Sequence, residues 1–431
     1  MIRNFLGSAG ALALGISAAT ATVTATEFPF TKFPMGTFGP NNVAQTSLAD
    51  IDKDGDLDFI DGKRYSDSGE AKLVWWEYQT PEKWVRHDVG GGQKSNASGA
   101  ALDIDGDGWI DLISGDSWFR NPHDPRAAKA WTRYGIGGTT GTGIDGMGAE
   151  EMTLGDVDGD GKPDLISVHK GWTVSLWHHI PKDPTQPWEE HRFGVSTNQG
   201  LSVADFDQDG TMDIVNGQNW YANLGGKGLV LEKRPIIPFP VADLQVPGDS
   251  PLTTVGDIDG DGDPDIILCS HFGPDLVWAE NTDGKGGKWT RHDIALGKNG
   301  LHGLRLADFD YDGDLDLYAG ENSGKQFIYE NDGKGKFIEH MIFSVGYGHQ
   351  AQVGDVDGDG DLDIVGKPWD GGAHVYMQNL WVENGGKHPV TLRMGPAPRA
   401  WSAAVILRID ALGRLEKTEA RPRFTGYLLI R

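Results

Sequence analysis

The residues in this chain best placed to do chemistry are aspartates. The string Asp-x-Asp-x-Asp-Gly-x-x-Asp occurs seven times, with no motif position broken in any copy. The first three copies carry Asp50, Asp52, Asp54 and Asp58; Asp103, Asp105, Asp107 and Asp111; and Asp156, Asp158, Asp160 and Asp164. The fourth and fifth carry Asp205, Asp207, Asp209 and Asp213, then Asp257, Asp259, Asp261 and Asp265. The last two carry Asp308, Asp310, Asp312 and Asp316, then Asp355, Asp357, Asp359 and Asp363. Carboxylates at positions 1, 3 and 5 face the inside of one tight loop, and the glycine at position 6 allows its sharp turn. A backbone carbonyl at position 7 and the Asp at position 9 complete an all-oxygen shell, which suits Ca²⁺. Without a cation, four clustered carboxylates repel. An Asp-Gly hairpin that held no metal would not need the full ligand set.

The loop is not an EF-hand: position 12 is not Glu, and its flanks read as strands rather than helices. Up to seven structural Ca²⁺ are expected, which would move the formal charge from −25 to about −11. The single cysteine, Cys269, allows no internal disulfide, so metal loops are the natural staple.

The elements that must position these loops recur with them. First Asp to first Asp, the steps are 53, 53, 49, 52, 51 and 47 residues. Runs such as Leu201 to Ala204 and Leu301 to Ala307 precede the motif, and apolar pairs such as Phe59-Ile60 and Ile266-Ile267 follow it. A third strand reads at Leu73 to Trp76 and Leu276 to Trp278. A fourth opens on an aromatic and ends on histidine, as in Trp84 to His87, Trp289 to His292 and Phe337 to His340. β-Branched and aromatic residues between Gly, Asn and Asp turns read as strands. Four strands per repeat of about 50 residues is a propeller blade. The fold class expected is therefore all-β, a seven-bladed β-propeller over residues 26–387. The seventh repeat lacks its own fourth strand, while Phe30 to Phe33 stands at that spacing before the first repeat. An N-terminal strand is expected to close the ring and leave no open edge.

Residues 1–25 read as a secretory signal: Arg3, an apolar run from Phe5 to Ala19, and small residues at Val23-Thr24-Ala25. The chain is expected to be secreted and monomeric, with no membrane span. Its acidity argues against a nucleic-acid partner. Residues 388–431 form a basic tail without an Asp loop, read as an extra strand pair, a disordered tail or a gene-model artefact.

The motif resembles the FG-GAP or VCBS repeat family, the calcium-loop propellers typified by integrin α-subunits, over about residues 28–385. That resemblance implies calcium loops on one face, between first and second strands, and a ligand on the other face. The second face would be built from the loops entering strand one and those joining strands two and three. Those segments hold Glu150, Glu151, Gln199, His302 and His349, then Arg64, Tyr65, His169, Lys170, His271, Glu321, Lys367 and Trp369. His302 and His349, like Glu150, lie six residues before the first Asp of their repeats. His87, His191, His292 and His340 recur at one blade position and read as structural.

Two classes of function follow. One is a carbohydrate-active lyase or dehydratase on an acidic sugar. His302 or His349 would be its base, Tyr65 or a second His its acid, and Arg64, Lys170 or a metal its charge neutraliser. In this class His271, His302, His349 and Glu321 are also read as a site for Zn²⁺ or Ca²⁺. The other is a non-catalytic adhesion module for a carbohydrate or cell-surface ligand, with a structural surface protein as a third reading. No nucleophile elbow, paired-Glu signature or HExxH is present.

Overall fold

The computed structural model describes residues 28–37, 43–63, 72–95, 99–137, 148–169, 174–194, 199–236, 251–270, 275–298, 300–321, 324–345, 348–367 and 373–386, with two short strands at 407–409 and 415–417. It holds seven antiparallel four-stranded sheets. Six are continuous in sequence, the first running Val43–Ala49, Asp58–Lys63, Lys72–Thr80 and Lys83–Gly91. The seventh pairs His349–Gly354, Asp363–Lys367 and Ala373–Asn379 with the N-terminal strand Phe30–Thr37. Phe30 faces Asn379 and Phe33 faces Tyr376 in that register. The expected closure is what is found. No helix among the described residues is long and apolar enough to cross a membrane.

The first strand of each blade touches the first strand of the next in cyclic order, and His349–Gly354 returns to Val43–Ala49. Seven hydrophobic clusters result, one in each seam. Ile60, Trp75, Leu112 and Phe119 fill the seam between blades 1 and 2. Val365, Tyr376, Phe59 and Trp76 fill the closing seam between blades 7 and 1. Each sheet is thus packed on both faces, so second strands such as Asp111–Ser114 and Asp213–Asn216 are buried at every position rather than at alternate ones. The fourth strands lie at the rim and alternate with solvent. Glycine enters this packing where the rim turn of one blade crosses a tryptophan of the preceding one. Gly335 has φ +75°, and a Cβ there would lie 2.0 Å from the Trp278 ring.

Candidate functional site

Each Asp loop joins the first and second strands of its blade, so all seven open on one face of the ring. The sixth-position glycines have φ between 88° and 111°, which the turn requires. The ninth-position Asp is buried and braces the loop from beneath. One oxygen of Asp265 accepts the Ile258 N–H at 3.2 Å, and the other accepts the Asn281 N–H at 2.8 Å. Asp111, Asp213, Asp316 and Asp363 repeat both contacts. A carboxylate oxygen has a second lone pair, so this bracing leaves room for a cation. Burial first, and then the neighbouring Asp charges, push Asp58 up to about 9 and Asp164, Asp213, Asp265 and Asp316 up to about 8.

The donor chemistry fits calcium on an observation independent of the motif. Asp263 Oδ1, Asp314 Oδ1, Asp359 Oδ2 and Asp361 Oδ1 are buried carboxylate oxygens that accept no hydrogen bond among the described residues. Three of these belong to seventh-position aspartates, which the motif reading assigned only a carbonyl; blade 1 has a fourth, Asp56. Asp52, Asp54 and Glu77 gather within ligand distance of one another, as do Asp103, Asp105 and Asp111.

Two further sets of residues were missed from sequence. The first is an asparagine ending the third strand of most blades. Asn121, Asn223, Asn281 and Asn331 donate from Nδ2 to Ile51, Val157, Phe206 and Ile258 carbonyls in the preceding blade's Asp loop, at 2.7–3.0 Å. The same asparagines donate their backbone N–H to their own blade's ninth Asp, so adjacent loops are clipped in series. Its recurrence ten or fifteen to sixteen residues after that Asp is the sequence signal. The second set is cationic. Arg126, from blade 2, reaches Asp52 Oδ2 at 2.7 Å, Glu77 Oε1 at 2.9 Å and Asp54. Arg120 reaches Asp105 at 2.6 Å and Asp107 at 3.0 Å.

The rim histidines are structural, as expected. His87 stacks on Trp75 with ring centroids 4.3 Å apart and bonds Glu77 at 2.7 Å. His292 does the same with Trp278 and Glu280. His191 stacks on Trp177, and His340 bonds Glu330.

On the face opposite the Asp loops, the structure brings together the two histidines of blades 6 and 7. The His302 and His349 rings are buried and stacked, 3.6 Å between centroids and 15° between planes. Gln199 of blade 4 approaches with Nε2 3.4 Å from His302 Nε2. Glu151 of blade 3 accepts the Gly200 and Leu201 N–H groups at 2.7 and 3.2 Å. Burial pushes Glu151 up to about 7, against the pull of those two N–H groups and of Arg305 from the first strand of blade 6. Glu150, His169, Glu321 and Lys367 are buried at strand ends on the same side. His271, Arg64, Tyr65, Lys170 and Trp369 lie outside the described residues. So do residues 1–25.

The profile of the FG-GAP-like repeat matches residues 103–167, 156–215, 257–319 and 308–366, together just over half of the chain. No curated protein matches it. Among solved structures, the chain is similar to a lectin of Agrocybe aegerita, described for specific recognition of non-reducing terminal N-acetylglucosamine. That pair is 17% identical with a TM-score of 0.51, covering 79% of this chain and 86% of the other. BBS1N, solved in complex with ARL6DN, is 10% identical with a TM-score of 0.48, over 77% of this chain and 90% of the other. At 17% identity the likeness to the lectin is one of fold.

Proposed function

The chain belongs to the FG-GAP-like repeat family, and on that premise we propose that it is a secreted, calcium-braced propeller that binds an acidic carbohydrate at the mouth around His302 and His349. The observation that carries this reading is the stacked, buried imidazole pair, with the Gln199 amide at its edge and the Glu151 carboxyl holding the N–H of the next residue, Gly200. Imidazole, amide and carboxyl groups converging on one mouth of a rigid ring supply the few fixed polar contacts that orient a sugar. Calcium in the Asp loops would hold the ring rigid from the opposite face, in a chain without disulfides. Likeness in fold to a propeller lectin supports a sugar as the ligand class.

A second reading, cleavage by β-elimination, is favoured by the same pair. One imidazole would take the proton α to a uronate carboxylate, the electron pair would expel the β-oxygen, and a protonated group would return a proton to that oxygen. A glycan array followed by calorimetry on the hits tests binding. Absorbance of the unsaturated product tests turnover. Binding without turnover selects the lectin-like reading; no binding to any glycan removes both.

A further inference from the structure

The seven loops are not chemically alike once their neighbours are included. At the seventh position blades 1, 5, 6 and 7 add a carboxylate, Asp56, Asp263, Asp314 and Asp361, where blades 2, 3 and 4 have Trp109, Lys162 and Thr211; blade 1 differs from blades 5 to 7 in the guanidinium set beside its loop. Asp263 and Asp361 are over nine-tenths buried, and each of the four holds one oxygen that accepts no hydrogen bond among the described residues. The Asp261, Asp259 and Asp257 charges of its own loop all act on Asp263. Beside these loops the third strand adds Glu280 in blade 5 and Glu330 in blade 6. Among the described residues, the ion pairs of blades 5 and 6 reach Glu280, Glu330, Glu339, Asp275 and Asp293, and none reaches a loop aspartate.

Blades 1 and 2 are built differently. In blade 2 the third-strand position held by Glu280 is taken by Arg120, forked onto Asp105 and Asp107, with His123 Nε2 2.7 Å from Asp107. In blade 1 that position is Glu77, and Arg126 arrives from the neighbouring blade to bridge Asp52, Asp54 and Glu77. A guanidinium fork occupies the lone pairs of the third- and fifth-position carboxylates and sets a fixed positive charge beside them. A divalent cation entering the same oxygens must displace the fork or bear its repulsion.

We propose that the ring loads calcium unevenly: the loops of blades 5, 6 and 7 are tight Ca²⁺ sites, while those of blades 1 and 2 carry their own counter-ions, Arg126 and Arg120, and take Ca²⁺ weakly. This rests on the reading of the loops as calcium sites. The acidic arc would keep its ions when free calcium falls, and the guanidinium-held blades would stay folded without them.

The test is calcium titration of the chelator-stripped full chain by calorimetry, with native mass spectrometry counting ions. Wild type, Arg120→Gln, Arg126→Gln and the triple variant Asp263→Asn, Asp314→Asn, Asp361→Asn are compared, each checked for wild-type circular dichroism. Wild type should show a tight class at least about tenfold tighter than the rest, since affinity follows ligand charge. Each arginine variant should add one ion to the tight class, and the triple variant should weaken that class about tenfold. A single affinity for all loops, or arginine variants that change neither count nor affinity, overturns the proposal. A wild-type chain that binds no Ca²⁺ overturns the calcium reading itself.

Discussion

His374 Nε2 stands 2.8 Å from Asp61 Oδ2, both side chains wholly buried, across the seam where the last blade meets the first. His374 is on the third strand of blade 7, beside the N-terminal strand, and Asp61 on the second strand of blade 1. The equivalent place between blades 3 and 4 holds a neutral pair, Asn216 and Ser175, at 2.5 Å. Breaking a buried pair strands its partner. His374→Ala should therefore cost about 3–5 kcal/mol in urea unfolding, and the double change to leucines should cost less than either single change. A His374→Ala variant as stable as wild type would show that the pair contributes nothing to closure.

Removing residues 28–37 strips the Ala373–Asn379 strand of its partner along its whole length and leaves an open edge. Aggregation by light scattering is expected, since an unpaired strand edge templates other chains. Removing residues 390–431 leaves all seven sheets complete and should keep the protein monodisperse. The reverse pattern would mean the ring closes another way.

Chelation should lower the thermal midpoint and added calcium restore it, because an ion bound only by the folded chain at about 1,000 times its Kd contributes about 4 kcal/mol. Asp259→Ala and Asp265→Ala should then separate. Among the described residues Asp259 accepts a single long bond, from the Asp261 N–H at 3.3 Å, so its loss should matter in calcium and little in chelator. Asp265 also braces Ile258 and Asn281, so its loss should cost about 1–3 kcal/mol in either condition. Equal behaviour of the two variants would contradict the division of labour.

Glu151 gives a pH signature of its own. Burial lifts it to about 7, above the ordinary value of about 4.3. Between those values the folded chain keeps a proton that the unfolded chain has lost, so its contribution to stability falls as pH rises through that window. The change should amount to on the order of 3–4 kcal/mol, and Glu151→Gln should flatten it. Urea midpoints from pH 4.5 to 8 in saturating calcium measure this.

His302→Gln and His349→Gln should each weaken the glycan identified by array at least about tenfold, with the calcium-dependent melt nearly unchanged because neither residue belongs to an Asp loop. Loss of one ring from the stack should cost only about 1 kcal/mol of stability. Full glycan affinity in both variants would move the ligand site elsewhere on the ring.

Most of the fold was legible because its information is local. Seven copies of one nine-residue motif fix the number of blades, the strand order within each blade and the face on which the loops open, since all three follow from contacts between residues close in sequence. Even the closing strand could be read, because a missing fourth strand at one end and a surplus one at the other leave a single way to pair the edge. The structural role of His87, His292 and His340 was readable for the same reason: each meets a glutamate of its own hairpin.

What the tertiary structure alone decided are the contacts between blades. Arg126 neutralises Asp54 from 72 residues away and Gln199 meets His302 from 103. No local spacing encodes such pairs, because they depend on how far each sheet is turned relative to the next. The two histidines of blades 6 and 7 share one slot in the repeat, and the sequence placed them on one face. That they stack ring on ring was set by the approach of two neighbouring first strands in a closed ring. The repeat made the loops look equivalent; the side chains brought to them from adjoining strands and blades set loops such as those of blades 1 and 2 apart from those of blades 5 and 6.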